Sequence, residues 1–442
     1  MTEMQSKGGG PKERLGRAME ALDRLVNWER RDRTADMGRS LAPVRDLLER
    51  MGQPHESVRV VHVSGTKGKG SVCSLVAAAL SAAGVRTGCY TSPHVERVTE
   101  RVCVDGVEVK EEQLAQAIER ALELRSRAVE EMTPAASSTW FDLFTAAALQ
   151  VFKEASCDWV VLECGLGGRL DSTNVANGEV CVLTNVDLEH TSVLGDTLRA
   201  IAEEKAAILP EGGVLVVGRG EDDSALTAVA KETAAARGGR VSFIEERAGS
   251  SFAEHNARVA RAALKEVEAR GGPAAAELLS DRVIDEARLP ARAERFLLSD
   301  RPVVLDGGHV ASSVSGLLAE LAQEERYAGS CDVVLALGRE KDAEAVLKAM
   351  RGRVDRVHCT TSHSGPLATG EELAQLGREL GIEARDAGTA CEALEAALSG
   401  GASWVLVLGS FYLAGELRPL LMELAQDPCS PSSQTSSSPT PS

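Results

Sequence analysis

The chain has 442 residues, 43% apolar and 26% charged; that balance is ordinary for a globular protein and excludes disordered, collagenous and disulfide-stapled classes. Its 49 basic and 66 acidic side chains give a formal charge of −17, which argues against a general nucleic-acid binder, whose affinity comes from neutralising phosphates. A local basic site for an anionic ligand remains compatible with that charge. At about 150 residues per domain, the length suggests two or three domains.

The ten cysteines include no CxxC pair and read as reduced thiols acting as small hydrophobes. No apolar run reaches the roughly 20 residues of a membrane span, so no membrane partner is expected. Met1 to Arg30 carries both charge signs and lacks an apolar signal core. The expected location is the cytoplasm, with an organelle such as the mitochondrion left open.

In chain order, Gly8-Gly9-Gly10-Pro11 precedes helical patterns over about Arg14–Arg31 and Leu41–Met51, the first marked by Leu15, Met19, Leu22 and Val26. Val58–Val63 predicts a buried strand. A Gly-rich turn and a small-residue helix over Ser71–Ala83 follow, with Gly84 placed to close the helix. Next come a strand over Val85–Tyr90, helices over Glu111–Glu131 and Phe141–Ala155, and strands at Trp159–Leu162 and Val180–Leu183. After a composition change at Gly271-Gly272-Pro273 a second series begins, with strands at Pro302–Leu305, Asp332–Leu337, Arg356–Cys359 and Trp404–Leu408. Such alternation predicts α/β architecture with parallel sheets. The expected layout is an N-terminal extension (1–34), a larger α/β domain (35–280), a smaller Rossmann-like domain (285–427) and a disordered Ser/Pro-rich tail (428–442).

Gly65-Thr66-Lys67-Gly68-Lys69-Gly70-Ser71 lies between the first strand and its helix. Glycines let successive N–H groups point at phosphate oxygens, and the helix N-terminus adds partial positive charge. Lys69 could then reach the β- and γ-phosphates, and the Ser71 hydroxyl could approach Mg2+. The spacing departs from GxxxxGK[ST], because Gly70 separates Lys69 from Ser71. A Gly-rich turn with exposed lysines is the plainer alternative.

Glu163 ends a hydrophobic strand, at the sheet edge where open α/β folds bind ligands, and a carboxylate there suits Mg2+. Gly165-Leu166-Gly167-Gly168-Arg169-Leu170-Asp171 follows it. His190, just beyond the next strand and Asn185-Val186-Asp187, is a candidate ligand for the same ion. Lys205, in the helical stretch Thr197–Leu209 beside Glu203 and Glu204, reads on its own as a solvated lysine.

Taken together, GTKGKGS at 65–71, YTSPHVERVTERV at 90–102, LECGLGGRLDSTNV at 162–175, DLEHTSVLGDT at 187–197, EEKAAIL at 203–209, LDGGHV at 305–310 and GSFYLAGE at 409–416 resemble the folylpolyglutamate synthase and dihydrofolate synthase family of Mur-type amide ligases. The resemblance covers about residues 35–425. It implies the Mur-type fold and an ATP-dependent ligase in which a pteroate or folate carboxylate becomes an acyl phosphate that L-glutamate then attacks. A Mur-type ligase for another carboxylate, a catalytically impaired folate- or nucleotide-binding paralogue, and a plain P-loop phosphotransferase are the competing readings.

By that resemblance Thr66, Lys67, Gly68, Lys69, Gly70 and Ser71 hold phosphates, and Ser71, Thr91, Glu163 and His190 hold Mg2+. Lys205 matches a lysine carbamylated to hold a second Mg2+, which places Lys69, His190 and Lys205 in the catalytic set. Asn256, Arg292, Asp306 and His309 match nucleotide contacts. Ser92, Pro93, His94, Thr139, Phe141, Asp142, Arg169, Leu170 and Asp171 match the pterin side. The implied partners are small molecules acting on a monomer: dihydropteroate or a reduced folate, and L-glutamate. The chain departs from the family's pattern at three places. Gly308, Val310 and Ala311 interrupt its DGAHN-P sequence; Asp142 replaces a Glu; and the stretch over 239–256 is short, with Phe252 and Ala253 at the positions of a His-Gln pair.

Overall fold

A computed structural model describes residues 10–27 and 40–426, apart from positions 223, 246, 248 and 364. The expected tail and residues 1–9 and 28–34 of the expected N-terminal extension lie outside these residues, as does the end of the first helical pattern; within that pattern the helix observed is Pro11–Asp23. The chain divides into two compact units, Met1–Leu289 and Pro290–Ser442.

The larger unit holds eight strands: β1 (Arg59–Ser64), β2 (Thr87–Tyr90), β3 (Val102–Val104), β4 (Val107–Glu108), β5 (Trp159–Glu163), β6 (Val180–Leu183), β7 (Val214–Val217) and β8 (Arg240–Phe243). They run in the order β4-β3-β2-β5-β1-β6-β7-β8. From β2 to β8 every pairing is parallel, while β3 and β4 add an antiparallel edge. The central strands are Val- and Leu-rich because helices cover both faces, leaving no polar side to alternate. One core packs Val60, Tyr90, Val160 and Leu162 against the helices Glu111–Glu131 and Trp140–Glu154. The opposite core packs Val61, Val63 and Val161 against the helices Lys69–Ala82 and Phe252–Ala269. Register puts the ends of β1, β5 and β6 side by side, with Val63 opposite Glu163 and Ser64 opposite Leu183.

The smaller unit holds β9 (Glu294–Leu298), β10 (Arg301–Asp306), β11 (Cys331–Leu335), β12 (Arg356–Cys359), β13 (Glu383–Asp386) and β14 (Trp404–Leu408), ordered β13-β12-β11-β14-β10-β9. All pairings are parallel except β9 with β10. The two-residue turn between those two strands has φ of 46° at Ser299 and 68° at Asp300, the left-handed pair that suits a tight hairpin. The alternating pattern thus predicted the α/β class of both units and missed the antiparallel edges. The described cysteines are free thiols, most of them buried, as small hydrophobes would be.

Candidate functional site

The chain leaves β1 at Gly65, whose φ is 147° and where a Cβ would lie 1.9 Å from the Thr184 hydroxyl. Gly68, with φ of 77°, precedes helix Lys69–Ala82, and a Cβ there would lie 2.6 Å from Asn256 Oδ1. Both positions need glycine, for backbone conformation and for space. The loop between them is tied to the exit of β6. Thr66 N donates to Asn185 O (3.1 Å), Lys67 N to Asn185 Oδ1 (2.9 Å), Thr184 Oγ1 to Lys67 O (2.6 Å) and Asp187 N to Thr66 Oγ1 (3.0 Å). Lys67 Nζ pairs with Asp187 at 3.5 Å. The helix beyond it offers unpaired amide groups and its dipole to an anion.

Glu163 is 2% exposed at the end of β5. Its Oε2 accepts the Ser92 amide at 3.0 Å, its Oε1 is 4.0 Å from Lys69 Nζ, and a Cβ on Gly70 would lie 3.2 Å from Oε2. One carboxylate therefore joins the phosphate-type loop, the exit of β2 and the end of β5. Thr91, next to Ser92, is also buried, and its amide donates to Arg101 O. His190 caps the short helix Thr191–Leu194 with φ of 54°, 4.0 Å from the Glu189 carboxylate. Among the described residues no group of three or more His, Cys, Asp and Glu could hold a metal by itself. The buried Glu163 carboxylate is the kind of oxygen ligand a hard cation prefers, while the Thr91 hydroxyl donates to Glu100 O at 3.4 Å; Mg2+ takes few protein oxygens and completes its shell with water and phosphate.

Lys205 is not the solvated lysine its neighbours suggest. It is 4% exposed, on helix Leu198–Ala206, and its Nζ donates to Gly65 O at 2.8 Å. Burial, reinforced by the Lys69 charge, pushes its pKa down to about 7. The glycine loop after β5 lies against this helix: Arg169 N donates to Glu204 O (2.9 Å), and a Cβ on Gly168 would lie 2.8 Å from Lys205 O.

On the expected pterin side the carboxylates of Asp142 and Asp171 bond within the protein. Asp142 accepts from Thr139 N and Oγ1 (both 2.8 Å), which caps helix Trp140–Glu154, and from Ser172 Oγ (2.6 Å). Asp171 accepts from Leu166 N at 2.8 Å and from Thr173 N at 3.1 Å. Desolvation raises its pKa despite these donors. Phe141 covers Gly165, where a Cβ would lie 2.6 Å from the ring. Arg169 is exposed and paired with Glu204, and Leu170 is exposed. Pro93 is exposed, while His94 is half-buried with its Nδ1 accepting from Arg101 Nε at 2.9 Å.

In the smaller unit, Asp306 ends β10 and braces two turns, accepting Ala293 N (2.8 Å) and Gly308 N (2.6 Å). Burial raises its pKa. His309 Nδ1 donates to Gly307 O at 3.0 Å, and the Arg292 guanidinium lies 4.6 Å from the centre of the Phe411 ring. Asn185 and Arg101, which carry no assigned role in the sequence motifs, matter through the hydrogen bonds they make to the Thr66-Lys67 backbone and to His94. Their positions inside recognisable motifs were the available signal.

Residues 63–264 match the family profile of the Mur ligase middle domain. The chain is 35% identical to dihydrofolate synthetase of Saccharomyces cerevisiae over 219 residues, spanning 49% of this chain and half the length of that relative. It is 31% identical to dihydrofolate synthase/folylpolyglutamate synthase of Mycobacterium tuberculosis over 376 residues, 76% of this chain and 77% of the relative. Among solved structures it is similar to a bifunctional folylpolyglutamate synthase/dihydrofolate synthase of Yersinia pestis complexed with AMPPNP and a Mn ion. That likeness has a TM-score of 0.75 and 27% identity, covering 94% of this chain and all of the other.

Proposed function

This chain belongs to the folylpolyglutamate synthase/dihydrofolate synthase family, and on that premise we propose that it joins L-glutamate to a pteroate or folate carboxylate at the expense of ATP. The observation that carries the proposal is the convergence of the Gly65–Ser71 loop, Glu163 and Lys205 at one sheet edge, linked by the Ser92–Glu163 and Lys205–Gly65 hydrogen bonds.

A carboxylate is too poor an electrophile for an amine, so it must first be activated. An acceptor carboxylate oxygen attacks the γ-phosphorus; the O–P bond forms as the bond to the β-phosphate oxygen breaks, giving an acyl phosphate and ADP. The glutamate amine then attacks the acyl carbon, phosphate leaves, and the amine gives up a proton to form the amide. Amides from Gly68 to Ser71 and the Lys69 ammonium hold the transferring phosphate in line and offset its charge. Thr66 and Lys67 complete the phosphate loop. Ser71, Thr91, Glu163 and His190 would hold Mg2+, which when bound supplies further charge neutralisation on the phosphate oxygens.

Lys205 is proposed to act as a carbamate: its amine nitrogen bonds to carbon dioxide, a proton leaves, and the resulting anion can hold a second Mg2+. Asn256 lies against Gly68 and is proposed as a nucleotide contact, as are Arg292, Asp306 and His309 on the smaller unit. Ser92, Pro93, His94, Phe141, Arg169 and Leu170 are proposed to face the acceptor. Thr139, Asp142 and Asp171 shape that side through the hydrogen bonds described above. No helix among the described residues is long and apolar enough to cross a membrane; a cytoplasmic monomer is the proposed working form. Phosphate release measured with ATP, L-glutamate and either dihydropteroate or tetrahydrofolate tests the reading. Release that needs both glutamate and an acceptor is expected, whereas no release with either acceptor would overturn it.

A further inference from the structure

The segment between β2 and β3 carries two residues, Glu100 and Arg101, that the proposed chemistry leaves unused. Glu100 turns back on its own loop, its carboxylate accepting the amides of Val95 (2.7 Å), Glu96 (2.9 Å) and Arg97 (2.7 Å). Three charge-assisted bonds to successive amides fix the backbone just after His94. At the other end of the loop the Ser92 amide is held by Glu163. His94 thus sits on a short stretch of chain pinned on both sides, two residues along from Ser92, whose amide the Glu163 carboxylate holds.

Arg101 fixes the ring itself. It is only 3% exposed, with its guanidinium 5.0 Å from the Trp140 ring centre and 5.7 Å from that of Phe144. Those rings stack on each other at 4.9 Å, so the cation lies on an aromatic shelf that both attracts it and limits its movement. From there Nε donates to His94 Nδ1 at 2.9 Å. A guanidinium has five N–H donors and no acceptor. The imidazole nitrogen facing it must therefore offer a lone pair, and a neutral His94 must carry its hydrogen on Nε2.

We propose that Arg101 is a positioning residue that holds His94 as an Nε2–H donor, so that this loop presents the acceptor substrate with a hydrogen-bond donor suited to a carboxylate or carbonyl oxygen. Lysine could not take its place, because an ammonium lacks the planar Nε–H and the flat face that stacks on the shelf. The identity of the acceptor rests on the ligase reading above; the tautomer does not.

The test has two arms. Nitrogen-15 spectra of histidine-labelled wild-type protein, with the His94 signals assigned by their loss in His94→Gln, should show an unprotonated Nδ1 and a protonated Nε2. A proton on Nδ1 overturns the proposal without recourse to any Arg101 variant. In the second arm, dihydropteroate binding is measured by calorimetry. Arg101→Met keeps an apolar stem on the shelf and should weaken binding about tenfold, the scale of one neutral hydrogen bond, while ATP binding is retained. In a His94→Gln background, where the donor is an amide with no tautomer to fix, Arg101→Met should add little. An equal loss in both backgrounds, or an equal loss for ATP, would mean that Arg101 only supports the fold and would overturn the proposal. Failure of the ligase reading looks different: acceptor binds, yet no ATP-dependent phosphate release follows.

Discussion

At the residue scale, Lys205 shows how environment rewrites a side chain. In sequence it stands beside two glutamates; in the fold it is buried against Gly65 O with its pKa lowered to about 7. A substantial neutral fraction at neutral pH leaves the amine lone pair available to carbon dioxide. Lys205→Ala is expected to abolish ligation, with partial rescue by small carboxylic acids that occupy the vacated space. Lys205→Arg should also be inactive, since a guanidinium keeps its charge and cannot be carbamylated; full activity in that variant would remove the carbamate from the account. Glu163→Gln keeps the shape of the buried side chain and removes its charge. It should raise the Mg2+ concentration for half-maximal activity well above the wild-type value while acceptor binding changes little, and an unchanged Mg2+ titration would contradict the assignment.

At the scale of elements, the loop from Gly65 to Ser71 depends on glycine for reasons that a paired comparison can separate. Gly68 has φ of 77° and a Cβ there would meet Asn256, whereas Gly84 has φ of 80° with nothing within 4 Å. Gly84→Ala should cost about 1 kcal/mol of stability from backbone strain alone and leave nucleotide binding intact. Gly68→Ala adds the collision and should also lose nucleotide binding, as read by calorimetry with an ATP analogue. Strand β1 contains a second test. His62 is fully buried, its Nε2 is 2.7 Å from Thr173 Oγ1, and desolvation lowers its pKa to about 3. Between its unfolded value of about 6.5 and that folded value, the unfolded chain binds the extra proton. Its contribution is therefore a loss of stability as pH falls from about 6.5 toward 3. His62→Gln should flatten that decline in denaturation midpoints measured between pH 7 and pH 5; an unchanged slope would assign the acid sensitivity elsewhere.

Over the whole molecule, the sequence was most informative where local composition decides structure. The β-branched runs of β1, β5 and β6, buried on both faces, announced a parallel sheet, and the glycines after β1 announced a loop able to cradle phosphate. What stayed hidden depends on distant partners. Strand β4 has only two residues and exists through its pairing with β3, and β8 opens on the exposed Arg240 at the edge of the sheet, with none of its residues fully buried. The burial of Lys205 follows from the glycine loop packing on its helix, and the inward bonds of Asp142 and Asp171 follow from Thr139, Ser172 and Leu166. No spacing rule conveys those contacts. Composition set the sheets; tertiary packing set the electrostatics of the site.

The central claim is that ATP activates the acceptor by phosphorylating its carboxylate. Synthesising dihydropteroate or tetrahydrofolate with oxygen-18 in the carboxylate that is to be joined, and following the label by mass spectrometry during ligation, tests this directly. Attack of that oxygen on the γ-phosphorus and later departure of phosphate must carry one labelled oxygen into each phosphate released alongside the glutamate adduct. Unlabelled phosphate accompanying the adduct would contradict the acyl-phosphate route.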